Sequence, residues 1–209
     1  MPKLKKSFRI VLTGGPGGGK STVAEKFYRI NPSESILVPE SATLVFKGGF
    51  PHDRRAQVRR HCQRAIFHLQ KNLEDALFIT SEKRVILCDR GTLDGLAYWP
   101  GSLTNFLKEM NCHIKTELLR YDAVIFLETC ARGGISIRGG NPHRNESIQE
   151  AIVLDTRLKK IWSKHPQFHF IAHERSFQKR DSDNARNPPA NSEKLTRVCA
   201  QIYGRITIR

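Results

Sequence analysis

The sequence predicts an α/β fold, an open parallel sheet of about five strands with helices on both faces. Three observations predict it. Short apolar runs alternate along the chain with longer stretches whose apolar residues recur at helical spacing. A glycine-rich turn joins the first apolar run to the first helical stretch. The 209 residues, 39% hydrophobic and 26% charged, have the size and composition of one globular domain over 1–209.

The elements follow in order. Strand 1 is read over Phe8–Thr13, and a helix from about Lys20 to Tyr28 follows the glycines. Strand 2 is Ser35–Pro39. The loop Phe46–Pro51 opens a long helix, Asp53–Glu82, whose period runs through Val58, Cys62, Ala65, Ile66, Leu69 and Leu73; at that length a bend is expected. Strand 3 is Arg84–Cys88, and short helices occupy Leu93–Tyr98 and Ser102–Met110. Strand 4 is Ala123–Leu127, followed by a glycine- and arginine-rich loop, Cys130–Asn145. A helix over Glu146–Lys164 ends at His165-Pro166, because proline disfavours helix at the residue before it. Strand 5 is Phe168–Ala172. The polar stretch 178–191 reads as a mobile connection to a last amphipathic helix bearing Leu195, Val198, Cys199, Ile202 and Ile206.

Composition excludes several classes. The longest apolar run, Ala123–Leu127, has five residues, far below the roughly 20 that a membrane helix needs. Ile10–Leu12 is too short for a signal-peptide core. Five cysteines with no C-x-x-C pair suggest neither a disulfide framework nor a zinc site, and the eight histidines show no ligand spacing. Free thiols fit a cytoplasmic protein. Thirty-five basic against twenty acidic residues leave +15, which favours anionic partners without choosing among nucleotides, phosphorylated metabolites, RNA or acidic lipid.

The turn Gly14-Gly15-Pro16-Gly17-Gly18-Gly19-Lys20-Ser21 fits G-x-x-x-x-G-K-[ST], placed between a strand and a helix as that motif requires. Its glycines allow a concave backbone whose N–H groups cradle phosphate oxygens at a helix start. Gly14, Gly15, Gly17, Gly18, Gly19, Lys20, Ser21 and Thr22 are the candidate nucleotide contacts, with Lys20 toward the β- and γ-phosphates and Ser21 on Mg²⁺.

Two strand ends narrow the chemistry. Glu40 follows strand 2, and ligands of open parallel sheets sit beyond the carboxyl ends of strands. Glu40 there accepts a proton from an attacking hydroxyl, binds Mg²⁺ through water, or simply caps a helix. Strand 3 ends in Val85-Ile86-Leu87-Cys88-Asp89, the Walker-B pattern, with Asp89 for the magnesium shell and Arg90 beside it; the alternative is Asp89 as a helix N-cap.

The segments Gly14–Thr22, Val38–Thr43, Cys88–Asp94, His143–Ser147 and Trp162–Pro166 resemble the AAA-labelled ATP/GTP-binding proteins of the kinase-like P-loop NTPases. That group includes the GTP-binding domain of a translocation-defect protein, and is more distantly similar to ribosylnicotinamide kinase domains and deoxynucleoside kinases. The resemblance covers about residues 8–180. It implies Glu40 as base toward a substrate hydroxyl and Arg90 as a clamp. No Asn-Lys-x-Asp guanine reader is present, so ATP and GTP both stay open.

The loop at about 130–146 reads as a lid: glycine hinges carrying Arg132, Arg138 and Arg144, of which Arg144 matches the family's lid position. Phe177, past strand 5, is the candidate base contact, with Lys179 beside it. Arg54, Arg55, Arg59, Arg60 and Arg64 start the long helix, either as an ordinary solvated face or beside a phosphorylated or acidic acceptor. Trp99 and Trp162 read as core. The resulting expectation is a Mg²⁺-dependent ATP or GTP phosphotransferase acting on a nucleoside-like or phosphorylated small acceptor. Its rival is a nucleotide-switched ATPase or GTPase that engages a protein or acidic-lipid partner. RNA binding ranks last, for want of a recognition motif.

Overall fold

Strands rich in Val, Ile and Leu on both faces must be covered on both faces, and this sheet is. The computed structural model describes residues 7–135, 137, 146–173 and 190–207. Five parallel strands, β1 (Phe8–Thr13), β2 (Ser35–Val38), β3 (Val85–Asp89), β4 (Ala123–Leu127) and β5 (Phe168–Ile171), stand in the order β2-β3-β1-β4-β5. β1 is central, with Ile10 level with Leu87 on one side and Leu12 level with Ile125 on the other.

The two-residue side-chain period sorts the strands into two cores. Ile10, Leu12, Leu87 and Ile125 face α1 (Lys20–Ile30), through Val23, Ala24 and Phe27, and α8 (Ala190–Thr207), through Val198 and Ile202. Val11, Ile86, Cys88, Val124 and Phe126 face the other side, with Phe67 of α3 (Ala56–Thr80), Phe106 of α5 (Leu103–Glu109), and Leu158 and Trp162 of α7 (Ile148–Trp162). Each fully buried large side chain contributes about 1.5–3 kcal/mol. Trp99 and Trp162 are core residues as expected, 5% and 0% exposed.

The expected strands recur within one or two residues, and the helices differ in instructive ways. α3 is one uninterrupted helix of 25 residues, about 37 Å at 1.5 Å per residue. It starts three residues later than expected, because Asp53 accepts from the Arg55 amide at 2.7 Å and holds the chain extended there. Two short helices escaped the reading: α2 (Ser41–Lys47), directly after Glu40, and α6 (Ile114–Leu118). Both are too brief to show a period. α4 (Gly95–Tyr98) follows a 3-10 turn, Thr92–Asp94. Ser147 and Glu150 form a reciprocal capping box that starts α7 at Ile148. No helix among the described residues is long and apolar enough to cross a membrane.

Candidate functional site

The turn after β1 has the backbone its glycines permit. Gly14, Gly17 and Gly19 take φ of 132°, 76° and 83°. At Gly14 a Cβ would also stand 2.1 Å from the Leu127 carbonyl oxygen. The loop's carbonyls are engaged one by one from different elements. Arg90 Nη1 donates to Gly14 O (2.7 Å), Lys20 Nζ to Gly15 O (2.6 Å), Thr129 Oγ1 to Pro16 O and Lys194 Nζ to Gly18 O (3.1 Å). Each carbonyl held this way is an acceptor removed from the face that would meet an anion. Burial pulls the Lys194 pKa below its ordinary value, with Cys130, Glu128 and Asp155 opposing. The Gly15 amide is held by Asp155 Oδ1 at 3.0 Å.

Ser21, in the first turn of α1, lies within hydrogen-bonding reach of the Asp89 carboxylate at the end of β3. Asp89 is 4% exposed, and its Oδ1 is buried without a hydrogen-bond partner among the described residues. Burial, then the nearby Glu40, raise the Asp89 pKa; Ser21, Arg90 and Lys20 oppose the rise. A hydroxyl beside an unsatisfied carboxylate oxygen is a hard-oxygen donor set of the kind Mg²⁺ takes. Asp89 is not a helix N-cap, since Gly91 holds that position.

Glu40 and Arg90 meet although 50 residues separate them, because β2 pairs with β3. Arg90 Nε donates to Glu40 Oε1 at 3.1 Å, and Arg90 Nη1 also reaches Asp94 Oδ2 at 3.3 Å. Thr43 Oγ1 donates to Glu40 Oε2 at 2.7 Å. Arg90 itself sits at φ 83°, a conformation costly for a residue with a Cβ. Its backbone is over-determined: its amide donates to Leu12 O (3.0 Å) and its carbonyl accepts from Gln70 Nε2 (3.0 Å). Gln70 Oε1 in turn accepts from Ser41 Oγ at 2.8 Å, so one buried amide holds both the Arg90 backbone and the first residue of the helix that follows Glu40. Asp94 Oδ1 accepts from Thr13 Oγ1 (2.8 Å) and Trp162 Nε1 (2.7 Å). Burial holds its carboxyl above the usual range against Arg90, Thr13 and Trp162.

Glu40, Arg90 and Asp94 open onto a cavity of about 680 Å³ between α2, α3 and α7. Phe46, Ile66, Phe67 and Leu154 give it apolar walls, while Arg54, Arg59, Arg157 and Glu146 add charge. The basic start of α3, left open between surface and site in the sequence, thus divides. Arg54 and Arg59 line the cavity, whereas Arg55 pairs with Asp53, Arg60 stands over the Trp99 ring and Arg64 pairs with Glu109.

The fold therefore gathers the glycine loop, Lys20, Ser21, Glu40, Asp89 and Arg90 at the carboxyl ends of β1, β2 and β3. Thr22, also in the first turn of α1, is exposed. Arg132 binds Asp155 Oδ2 at 3.0 Å and Thr156 Oγ1 at 2.7 Å, and so braces the loop's support. Arg138, Arg144, Phe177 and Lys179 lie outside the described residues, as do most of the expected lid and nearly all of 178–191. Among the described residues no group of three His, Cys, Asp or Glu side chains suits a metal.

Sequence reasoning missed Gln70, Asp94, Thr129, Asp155 and Lys194. Two of them left a signal. Asp155 stands in the series Ala151, Asp155, Leu158, Trp162, and Lys194 in the series Lys194, Val198, Ile202; each is a charge at a core position of a helical period.

The family profile described as AAA domain matches residues 9–180, and the chain belongs to that family. A comparison with curated proteins returns no match. The fold recurs in solved structures. Deoxyadenosine kinase from M. mycoides, with dCMP and a flexible dCDP bound, aligns at a TM-score of 0.59 and 15% identity, over 94% of this chain and 100% of that one. Thymidylate kinase from Candida albicans aligns at 0.59 and 14%, over 96% and 93%. Shikimate kinase from Acinetobacter baumannii in complex with shikimate aligns at 0.54 and 14%, over 96% of each chain. The chain thus has the fold of the kinase-like P-loop NTPases.

Proposed function

We propose that the protein is a Mg²⁺-dependent phosphotransferase that moves the γ-phosphoryl of ATP or GTP to a hydroxyl of a small acceptor, nucleoside-like or phosphorylated, in the cytoplasm. The observation that carries this reading is the joint geometry of the strand ends. A phosphate-type loop, a hydroxyl–carboxylate pair with an unsatisfied oxygen, and an anchored glutamate share one corner, and that corner opens onto a small-molecule-sized cavity.

In this reading the loop amides and Lys20 hold the nucleotide phosphates. Ser21 and Asp89 hold Mg²⁺, which supplies charge neutralisation at the phosphates when bound. Glu40, its orientation set by Arg90 and Thr43, takes the proton from the acceptor hydroxyl. Arg90 is fixed on Gly14, Glu40 and Asp94, so it ties the base to the loop as one rigid unit. Arg138 and Arg144, outside the described residues, are assigned in this reading as charges for the transferred group, and Phe177, also outside them, as a base contact. Most of the rate enhancement comes from positioning and electrostatics.

Acceptor-dependent ADP release measured over a panel of hydroxylated acceptors tests this reading. Glu40→Gln is expected to lower kcat by about 10²–10⁴-fold while the nucleotide KM stays within about threefold. Full turnover in that variant removes Glu40 from the mechanism. Hydrolysis that ignores every acceptor favours the nucleotide-switch alternative instead.

A further inference from the structure

Among the described residues, two guanidiniums in the cavity converge without an ion-pair partner. Arg59 Nη2 donates to Tyr98 O at 2.6 Å and Arg157 Nη1 to Ala97 O at 3.3 Å. These carbonyls belong to consecutive residues at the end of α4, so α3 and α7 bring two like charges to one spot. Neither arginine has a carboxylate within 4.0 Å among the described residues, although both line the cavity. The acids nearby are otherwise engaged. Asp53 is bound to Arg55 at 2.6 Å, Glu150 accepts from the Ser147 amide at 2.7 Å, and Glu40 and Asp94 hold Arg90. The Cys62 thiol lies near Arg59, but burial raises its pKa to about 11, so it brings no charge at neutral pH. The Tyr98 phenol is likewise pushed up to about 12 by burial. Glu146 is the exception, with a buried Oε2 that has no hydrogen-bond partner among the described residues.

Position adds to charge. Gln70 marks the Glu40–Arg90 corner, and Arg59 lies eleven residues earlier on the same helix, about 16 Å along its axis. Paired guanidinium forks match carboxylate and phosphate oxygens, and a lone buried carboxylate oxygen matches a hydroxyl or amino donor.

We infer that the cavity is built for a hydroxylated acceptor that already carries an anionic group, phosphate or carboxylate, seated on Arg59 and Arg157. A donor on the same molecule meets Glu146. This deepens the kinase reading and rests on it for the word acceptor, but binding alone can test it.

Calorimetry of the full chain with Mg²⁺ and a non-hydrolysable ATP analogue is run with three pairs of probes: thymidine 5′-monophosphate against thymidine, ribose 5-phosphate against ribose, and glycerate against glycerol. At least one anionic probe is expected to bind tenfold or more tightly than its neutral partner, and the phosphate and carboxylate arms tell which anion the site prefers. Arg59→Gln and Arg157→Gln are each expected to weaken that probe at least tenfold, with Arg157→Lys intermediate. Thermal melting checks folding, and if Arg59→Gln does not fold, the exposed Arg157 carries the test. Neutral probes binding equally well, no heat from any anionic probe, or binding unmoved by Arg157→Gln each overturn the inference. The outcomes separate from those of the kinase reading: anion binding without acceptor-stimulated ADP release supports this subsite and fails the kinase, whereas ADP release driven equally by neutral acceptors does the reverse.

Discussion

Gly14 and Asp155 show how single residues shape the loop from its two sides. Gly14 has φ 132° and no room for a methyl beside the Leu127 carbonyl. Gly14→Ala is expected to cost about 2–3 kcal/mol and to abolish nucleotide binding, read by urea denaturation and calorimetry. Asp155 is 0% exposed and serves three donors: the Gly15 amide (3.0 Å), the Thr129 amide (3.1 Å) and Arg132 Nε (3.0 Å). Asp155→Asn leaves one of these donors without an acceptor and Arg132 without its strongest counter-charge. It is expected to cost about 2–4 kcal/mol in denaturant melts. The glycine was readable because a motif announces it. The aspartate stood in plain view inside an apolar period, but its partners lie 140 and 26 residues away, and nothing local in the sequence names them.

At the scale of elements, α3 binds the site to the sheet. Its middle carries Gln70 at the Glu40–Arg90 corner. One turn on, Glu74 is fully buried and meets Tyr121 Oη (2.8 Å), Arg120 (3.1 Å) and Arg9 (3.6 Å). Asp75 completes this network at the rim, 3.1 Å from Arg9 and 2.8 Å from Arg120. Burial alone would raise the Asp75 pKa, but Arg120 and Arg9 outweigh it and hold the carboxyl below 3.8. A depressed folded value means the contribution is present above pH 3.8 and lost as pH falls through that lower value. Because the side chain is 45% exposed, solvent screens the interaction to about 0.5 kcal/mol. Asp75→Asn is expected to melt about 1–2 °C below the parent at pH 7, with the two curves converging in strong acid. The extent of α3 was readable from its period to within a turn. Its role was not, since Gln70 and Glu74 in sequence are ordinary polar helix residues.

For the whole molecule, net charge and topology act over the longest distances. A formal charge of +15 on 209 residues repels itself at low ionic strength. Raising salt from about 10 to 200 mM shortens the Debye length from roughly 30 to below 10 Å. The melting temperature is expected to rise over that range in scanning calorimetry, because the exposed ion pairs weakened by salt are worth little individually. A melting temperature that falls instead means specific pairs outweigh the net repulsion. The strand order β2-β3-β1-β4-β5 puts the ends of β2, β3 and β1 side by side, and so converts three distant motifs into one corner.

By itself the sequence determined the five strands, the parallel sheet and the phosphate-type loop. These depend on local patterns: short apolar runs, helical periods, and glycines where a side chain cannot go. It also singled out Glu40, Asp89 and Arg90, because each follows a strand end. Only the tertiary structure decided that Glu40 and Arg90 form a pair, that Arg90, Thr129 and Lys194 reach the loop's carbonyls from three separate elements, and that Arg59 and Arg157 share one end of a cavity. The physical reason is range. A hydrogen bond or charge contact acts over a few ångströms of space, and the chain segments that meet there are set by sheet order and helix packing rather than by neighbouring residues.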